Sequence, residues 1–206
     1  PETPIYHKGN ELYGLSHAIQ KARKEDTIIV TEGYLDVISF HQAGFMNTVA
    51  PLGTAITESQ IKTLWNTVTE PIFCFDGDEA GKRAALKTAI KVLPLIKPGL
   101  TVRFADLPLG EDPDSLIKKQ GPEVITEILS KSIPLSQFFW KIETNGALIS
   151  TLPEDRAACH KRLKNYASLI QDTTMKSHFL KFFNSQIWEC FGFFWISCAT
   201  FSKTNF

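Results

Sequence analysis

The chain has 206 residues, of which 43% are hydrophobic, and its 22 basic residues balance 22 acidic ones. That apolar content supports one large domain or two small ones. Zero net charge excludes a polyanion-binding surface spread over the whole chain, so any nucleic-acid contact has to come from a local patch. The N-terminus lacks the apolar region of a signal peptide, and Pro1 at the start suggests a piece of a longer protein. Cys74, Cys159, Cys190 and Cys198 are widely spaced, with no CxxC. They read as small hydrophobes of a reducing compartment, and a cytoplasmic location is expected.

Residues 1–10 are rich in turn formers and read as a lead-in segment. Leu12, Leu15, Ile19 and Ala22 follow at helical spacing and predict an amphipathic helix ending near Lys21–Lys24. Thr27–Thr31, rich in β-branched residues, predicts a first strand that ends in Glu32-Gly33. A short helix over 34–43 stops at Gly44. A second strand is expected at Asn47–Ala50, left through Pro51-Leu52-Gly53-Thr54. Thr57-Glu58-Ser59-Gln60 has the form of a capping box, opening a helix that carries Ile61, Leu64, Trp65 and Val68. Ile72–Phe75 is a third strand and runs straight into Asp76-Gly77-Asp78. A helix from Glu79 to Leu93 is stopped by Pro94, and Leu100–Ala105 is a fourth strand.

In Gly110-Glu111-Asp112-Pro113-Asp114, Pro113 suits a first helical turn and Asp112 the N-cap before it. From Pro122 onward the spacing is helical, over 122–130, 134–143, 153–170 and 173–190, and no further strand is expected. Cys190–Phe201 is an apolar run too short to span a bilayer. It reads either as a buried terminal helix or as a tail foreign to the fold.

This alternation predicts an α/β fold, with a parallel sheet of about four strands, flanking helices and an all-helical subdomain behind. The expected division is a lead-in and helix over 1–26, the α/β domain over 27–120, the helical subdomain over 121–190 and a tail over 191–206. Buried parallel strands present functional side chains at their carboxyl ends. Glu32 ends one strand, and Asp76 and Asp78 end another. They converge if the first and third strands are neighbours, about 4.8 Å apart. Like charges so close stay ionised only around a cation, which points to a hard divalent metal.

Asp112 and Asp114 divide evenly between helix cap and second metal position. Lys82 and Arg83 lie nearest the metal edge and are candidates for phosphate contact, whereas Lys87 and Lys91 read as a solvated helix face. Tyr34 is expected to pack, and Asp36 to serve as a charge at a helix N-terminus. Gly33, Gly53, Gly77 and Gly81 are assigned to turns needing positive φ or close backbone approach. The five histidines are dispersed, show no ligand spacing, and receive no chemistry.

Asp76-Gly77-Asp78 alone is a weak signal. A calcium EF-hand fails, because Ala80 and Lys87 stand where oxygen ligands are required. An aspartyl nucleophile at Asp76, with Asp78 as acid/base, is chemically reasonable but leaves Glu32-Gly33 unexplained. Solvated acids at strand ends would explain one such site more easily than two.

Joined, Glu32 and Asp76/Asp78 resemble the acidic pattern of a Toprim domain. Five stretches narrow this: His7-Lys8-Gly9-Asn10-Glu11-Leu12-Tyr13-Gly14-Leu15, Val30-Thr31-Glu32-Gly33-Tyr34-Leu35-Asp36-Val37, Leu52-Gly53-Thr54, Asp76-Gly77-Asp78-Glu79-Ala80-Gly81 and Gly110-Glu111-Asp112-Pro113-Asp114. In order and spacing they resemble the DnaG-type bacterial DNA primases, densely from about residue 4 to 140, more loosely up to about 190, and not beyond.

The resemblance implies a catalytic-core fragment that makes short RNA primers on single-stranded DNA by metal-dependent nucleotidyl transfer. Glu32, Asp76 and Asp78 would hold Mg²⁺ or Mn²⁺, with Asp112 and Asp114 completing the cluster. Lys8 matches a basic residue lining the nucleic-acid path. Ribonucleoside triphosphates and a single-stranded DNA template are the implied partners, and a replicative helicase would bind through a region outside this chain. Zinc is expected only in a separate N-terminal module. A monomer at the nucleoid's replication forks is expected, without membrane association. Two other readings of the same acids stand beside it: a Toprim nuclease or nicking protein, and a non-catalytic nucleic-acid-binding fragment.

Overall fold

The β-α-β rhythm expected between Thr27 and Ala105 is present in the computed structural model. It describes residues 7–53, 55–144 and 152–201, those from 190 onward as backbone only. The elements are β1 (Leu12–Tyr13), α1 (Leu15–Glu25), β2 (Ile29–Val30), α2 (Tyr34–Gln42), β3 (Thr48–Pro51), α3 (Glu58–Trp65), β4 (Ile72–Cys74), α4 (Glu79–Val92) and β5 (Arg103–Ala105). They continue with α5 (Pro113–Gln120), α6 (Pro122–Ser130), β6 (Ile133–Pro134), α7 (Leu135–Thr144), α8 (Pro153–Ser168) and α9 (Thr173–Phe201).

The strands form one mixed six-stranded sheet in the order β1-β3-β2-β4-β5-β6. Its centre is parallel, as the apolar runs required, and β2 does lie beside β4, with Val30 opposite Phe73. Both edges differ from expectation. Leu12 was placed in a helix, but Leu12–Tyr13 pairs antiparallel with β3, Leu12 opposite Pro51. The chain then turns at Gly14 (φ 80°) before the helix begins. At the other edge Ile133–Pro134 pairs antiparallel with β5, although no strand was expected after Pro122. Arg103 holds this edge through its guanidinium, donating to the Ser132 hydroxyl and carbonyl. A proline is tolerated there because an edge strand needs hydrogen bonds on one side alone.

Alternate residues of the central strands face opposite sides, and both sides are covered. Ile29, Ile72, Cys74 and Ala105 join Phe40 of α2, Leu116 of α5 and Ile125 of α6 in one buried cluster. Phe73 points the other way, its ring 5.8 Å from Phe75 and 5.7 Å from Phe104. Cys74 is wholly enclosed, and burial pushes its thiol up to about 12, so it behaves as a hydrophobe.

The first compact unit runs to Leu135 and the second from Ser136, beyond the boundary expected at 120. Helical spacing in 122–130 reads the same whether a helix covers a sheet or starts a bundle. Here Ile125 belongs to the sheet's own core. In the second unit, Phe139 and Tyr166 bring their rings to 4.4 Å, and Arg162 pairs with Glu143. Cys159, Leu163, Ala167 and Phe183 are buried. Asp172 caps α9 by accepting from Met175 N at 2.8 Å. The backbone of α9 continues through the stretch read as uncertain, to Phe201; residues 202–206 lie outside the described residues. Among the described residues no helix is long and apolar enough to cross a membrane.

The capping box read at Thr57–Gln60 is present and does more than start a helix. Gln60 Oε1 accepts from Thr57 N at 2.9 Å, and Thr57 Oγ1 accepts from Gln60 N at 3.1 Å. The same two side chains reach back to the segment that carries Lys8. Gln60 Nε2 donates to the carbonyls of Lys8 (3.1 Å) and Glu11 (2.7 Å), and Thr57 Oγ1 donates to Gly9 O. Gln60 is fully buried, so its amide is satisfied by protein alone. Gln60→Leu takes the side-chain partner from the Glu11 carbonyl and the Thr57 N–H, and leaves the Lys8 carbonyl with only the long bond from Glu11 N at 3.4 Å. It is expected to cost about 2–3 kcal/mol, read as a lower urea midpoint at unchanged slope.

Candidate metal centre

Glu32 and Asp76 meet because β2 and β4 are parallel neighbours whose ends lie within one residue of each other. Val30 lies opposite Phe73, and two residues further on Glu32 Oε1 accepts from Asp76 N at 3.3 Å. Asp78 caps α4, its Oδ1 accepting from Gly81 N at 2.7 Å. One oxygen on each of Glu32 and Asp78 is thus fixed by a backbone N–H, which orients the other.

Gly77 and Gly81 are required by close approach. A Cβ on Gly77 would lie 1.9 Å from Pro108 O, and one on Gly81 would lie 2.1 Å from Asp76 O. The turn between the two aspartates lies flat against the loop after β5, with Gly77 N donating to Glu111 O at 2.9 Å. That contact carries Asp112 to the same edge. Gly53 has φ 67°. Gly33 is a correction: its φ is −132°, and an added Cβ would meet only Asp36 Oδ2, at 3.5 Å. It caps α2 from an extended backbone that any residue adopts.

The electrostatics report crowding. Asp76 is pushed up to about 7 by burial and then by Glu32, Asp36, Asp112 and Asp78, with every named cause acting in the same direction. Glu32 is raised by burial, opposed by the Asp76 N–H and reinforced by Asp78 and Asp36. Asp36 is also raised by burial, although its Oδ2 accepts from Gly33 N at 3.1 Å. Its charge does sit at a helix N-terminus, and it also belongs electrostatically to the acidic group. The sequence signal for that second role is its place on the first turn of the helix that Glu32 precedes.

Asp112 and Asp114 have structural employment. Asp112 Oδ1 caps α5 from Ser115 N at 2.8 Å. Asp114 is held at one oxygen by the Ser39 hydroxyl (2.7 Å) and at the other by Lys118 (2.6 Å), which lowers its pKa. Among the described residues, no three Asp, Glu, His or Cys side chains stand ready to hold one ion. The donor set nonetheless suits a hard cation: all are oxygens, and Asp76 is raised by burial and then by neighbouring acids whose repulsion a divalent ion would relieve. Such an ion would draw further ligands from water and phosphate, as Mg²⁺ does.

Residues 26–106 match the Toprim domain family. The DNA primase of Rickettsia conorii is 42% identical over 189 residues, covering 92% of this chain and 32% of that protein. A solved DNA primase domain from Pseudomonas aeruginosa superposes with a TM-score of 0.80 at 40% identity, covering 93% of this chain and 59% of that one. A DnaG primase catalytic domain solved bound to single-stranded DNA gives 0.78 at 34% identity, covering 90% of this chain and 59% of that one. The chain belongs to the DnaG-type bacterial DNA primases. It spans about a third of the length of the curated relative from R. conorii.

Within this primase chain the basic candidates take different places. Lys82 is exposed and paired with Glu79 at 2.8 Å, a neighbour on its own helix. Arg83 is exposed beside it on α4. Lys8 is half-buried on the segment clamped by Gln60. Tyr34 is a second correction. Expected to pack, it is 53% exposed at the start of α2, its ring 5.8 Å from that of Tyr13. It is the first residue of the helix, directly after Glu32-Gly33.

Proposed function

We propose that this chain is the metal-binding part of a primase's catalytic core, which joins ribonucleotides into short primers on single-stranded DNA during replication. The observation that carries this reading is the convergence of Glu32, Asp76 and Asp78 at one sheet edge, with the like-charge strain on Asp76. In it, Glu32, Asp76 and Asp78 hold Mg²⁺ or Mn²⁺, and Asp112 and Asp114 offer a second position that Asp114 takes up by releasing Lys118. Bound divalent ions would stabilise charge on the attacking and leaving oxygens of a phosphoryl transfer.

The chain's own groups do the positioning. The Asp76 and Gly81 N–H groups orient Glu32 and Asp78, and Gly77 lets the acidic loop close against the turn. Gln60 and Thr57 hold the backbone on either side of Lys8, which on this reading faces the nucleic acid. Arg83 and Lys82 are assigned to phosphate contact, Lys82 by exchanging Glu79 for phosphate. The template is single-stranded DNA and the substrates are ribonucleoside triphosphates. A helicase partner, a zinc module, a monomeric state and a place at replication forks in the cytoplasm belong to the same reading of the whole protein.

Incubating the intact protein with ribonucleotides, Mg²⁺ and a single-stranded template is expected to yield oligoribonucleotides. Cleaved DNA in place of them would make the acids those of a nuclease. Crystals soaked in millimolar Mn²⁺ are expected to show anomalous density among Glu32, Asp76 and Asp78, and a blank map there at that concentration overturns the metal assignment.

A further inference from the structure

Folding does not account for the exposed aromatic pair beside Glu32. Tyr34, two residues after Glu32, keeps 53% of its surface in solvent, and Tyr13 keeps 37%. Their planes are tilted by 59°, so neither ring covers the face of the other. Leu35 and Ile38 extend this apolar surface along α2, at 65% and 38% exposure.

The sheet register places the pair at the carboxylate edge. Tyr13 lies opposite Ala50 on β3, and the preceding Val49 lies opposite Val30 on β2. Tyr13 is therefore level with Thr31, one residue short of Glu32. Its strand is held firmly, because Gln60 and Thr57 grip the carbonyls of Lys8, Gly9 and Glu11 just ahead of it. An aromatic surface of this kind suits a flat, partly apolar ligand. Tyrosine also tolerates water when the surface is empty, because its hydroxyl stays solvated.

We propose that Tyr13 and Tyr34 form a shelf on which the base of a nucleoside triphosphate stacks while its phosphates reach the carboxylate edge. The proposal rests on the nucleotidyl-transfer reading of that edge and adds to it the contact that receives the base. Every base has a π face, so stacking of this type accepts all four nucleotides without reading sequence.

The test uses the intact protein, Mg²⁺ and the ribonucleoside triphosphate of 2-aminopurine, whose fluorescence falls on stacking, with inorganic triphosphate as a ligand lacking a base. Combined Tyr13→Ala and Tyr34→Ala is expected to weaken nucleotide binding about tenfold or more, with inorganic triphosphate bound as before. Tyr34→Phe, which keeps the ring, is expected to recover the binding lost in Tyr34→Ala. Three results overturn the shelf. The double variant could bind the nucleotide unchanged, or lose inorganic triphosphate by the same factor. It could also lower the melting temperature while nucleotide affinity stays the same, which would mean that a protein segment covers the rings. Asp76→Asn separates the two levels. If it leaves inorganic triphosphate binding intact, the nucleotidyl-transfer reading of the edge fails. If it abolishes that binding while the tyrosine variants keep full nucleotide affinity, only the shelf is lost.

Discussion

On the proposed nucleotidyl-transfer reading, Asp76→Asn is expected to abolish primer synthesis by the intact protein while making the metal-free protein more stable at pH 8. The side chain keeps its size and loses its charge. If Asp76 is the metal ligand proposed, removing its charge takes away several kcal/mol of charge stabilisation, so a loss of about 10³-fold or more is expected. The stability effect follows from the raised value near 7, against 3.8 for an ordinary aspartate. The folded protein holds this proton more tightly than the unfolded chain does. Stability from this group is therefore fully present below pH 3.8 and is lost as the pH rises through about 7. Asn carries no such penalty, so the variant and the native protein match near pH 4 and separate by pH 8. Asp76 is half-exposed, and solvent screening reduces the gain to about 1–2 kcal/mol. Urea titrations in EDTA at the two pH values read it. Equal stabilities at pH 8 would show that the carboxylates are not crowded. Added Mg²⁺ is expected to reverse the ranking, because the ion stabilises only the native acid.

The second large effect is steric. Gly77→Ala sets a methyl 1.9 Å from Pro108 O, 2.8 Å from its carbonyl carbon and 3.1 Å from Leu107 O. All three are backbone atoms, so no side chain can swing aside and the loop itself must move. A cost of about 3 kcal/mol or more is expected. Because Gly77 N also holds Glu111 O, the displaced loop carries Asp112 away from Asp76, and Mn²⁺ affinity falls with stability. Gly81→Ala meets Asp76 O at 2.1 Å and should behave alike. Gly33→Ala is the control, with an extended φ and an ordinary 3.5 Å contact, and should change stability by less than about 0.5 kcal/mol. A Gly77→Ala protein as stable as Gly33→Ala would mean that the loop does not lie on the turn.

The four glycines were grouped by composition and separate by structure. Sequence shows that a glycine stands in a turn; which atoms approach it depends on a loop some thirty residues away in the chain, roughly the span of one β-α-β unit. Tyr34 was misread for a related reason. An aromatic after a strand is usually counted toward the core, yet Tyr34 opens α2 and keeps half its surface in solvent. The edge strands were missed because two residues are too few to show a period. Leu12 fitted the helical spacing of Leu15 and Ile19, and pairing with β3 overrode it.

What the sequence by itself determined is local. Apolar runs ending in acids marked the central strands and their functional ends. The Thr57–Gln60 box and Asp112-Pro113 marked helix starts, and the ordered motifs identified the family. These signals lie within a few residues of one another, where backbone preference and capping act. Tertiary structure alone decided that β2 lies beside β4, that the Pro108–Glu111 loop covers Gly77, that Gln60 grips the Lys8 segment, and that the first unit extends to Leu135. Each of these depends on which buried surfaces and hydrogen-bond partners meet across long stretches of chain, and no local pattern encodes that. The carboxylates could be named one by one from the sequence; that burial first, and then their mutual repulsion, raises Asp76 is a property of the packed sheet.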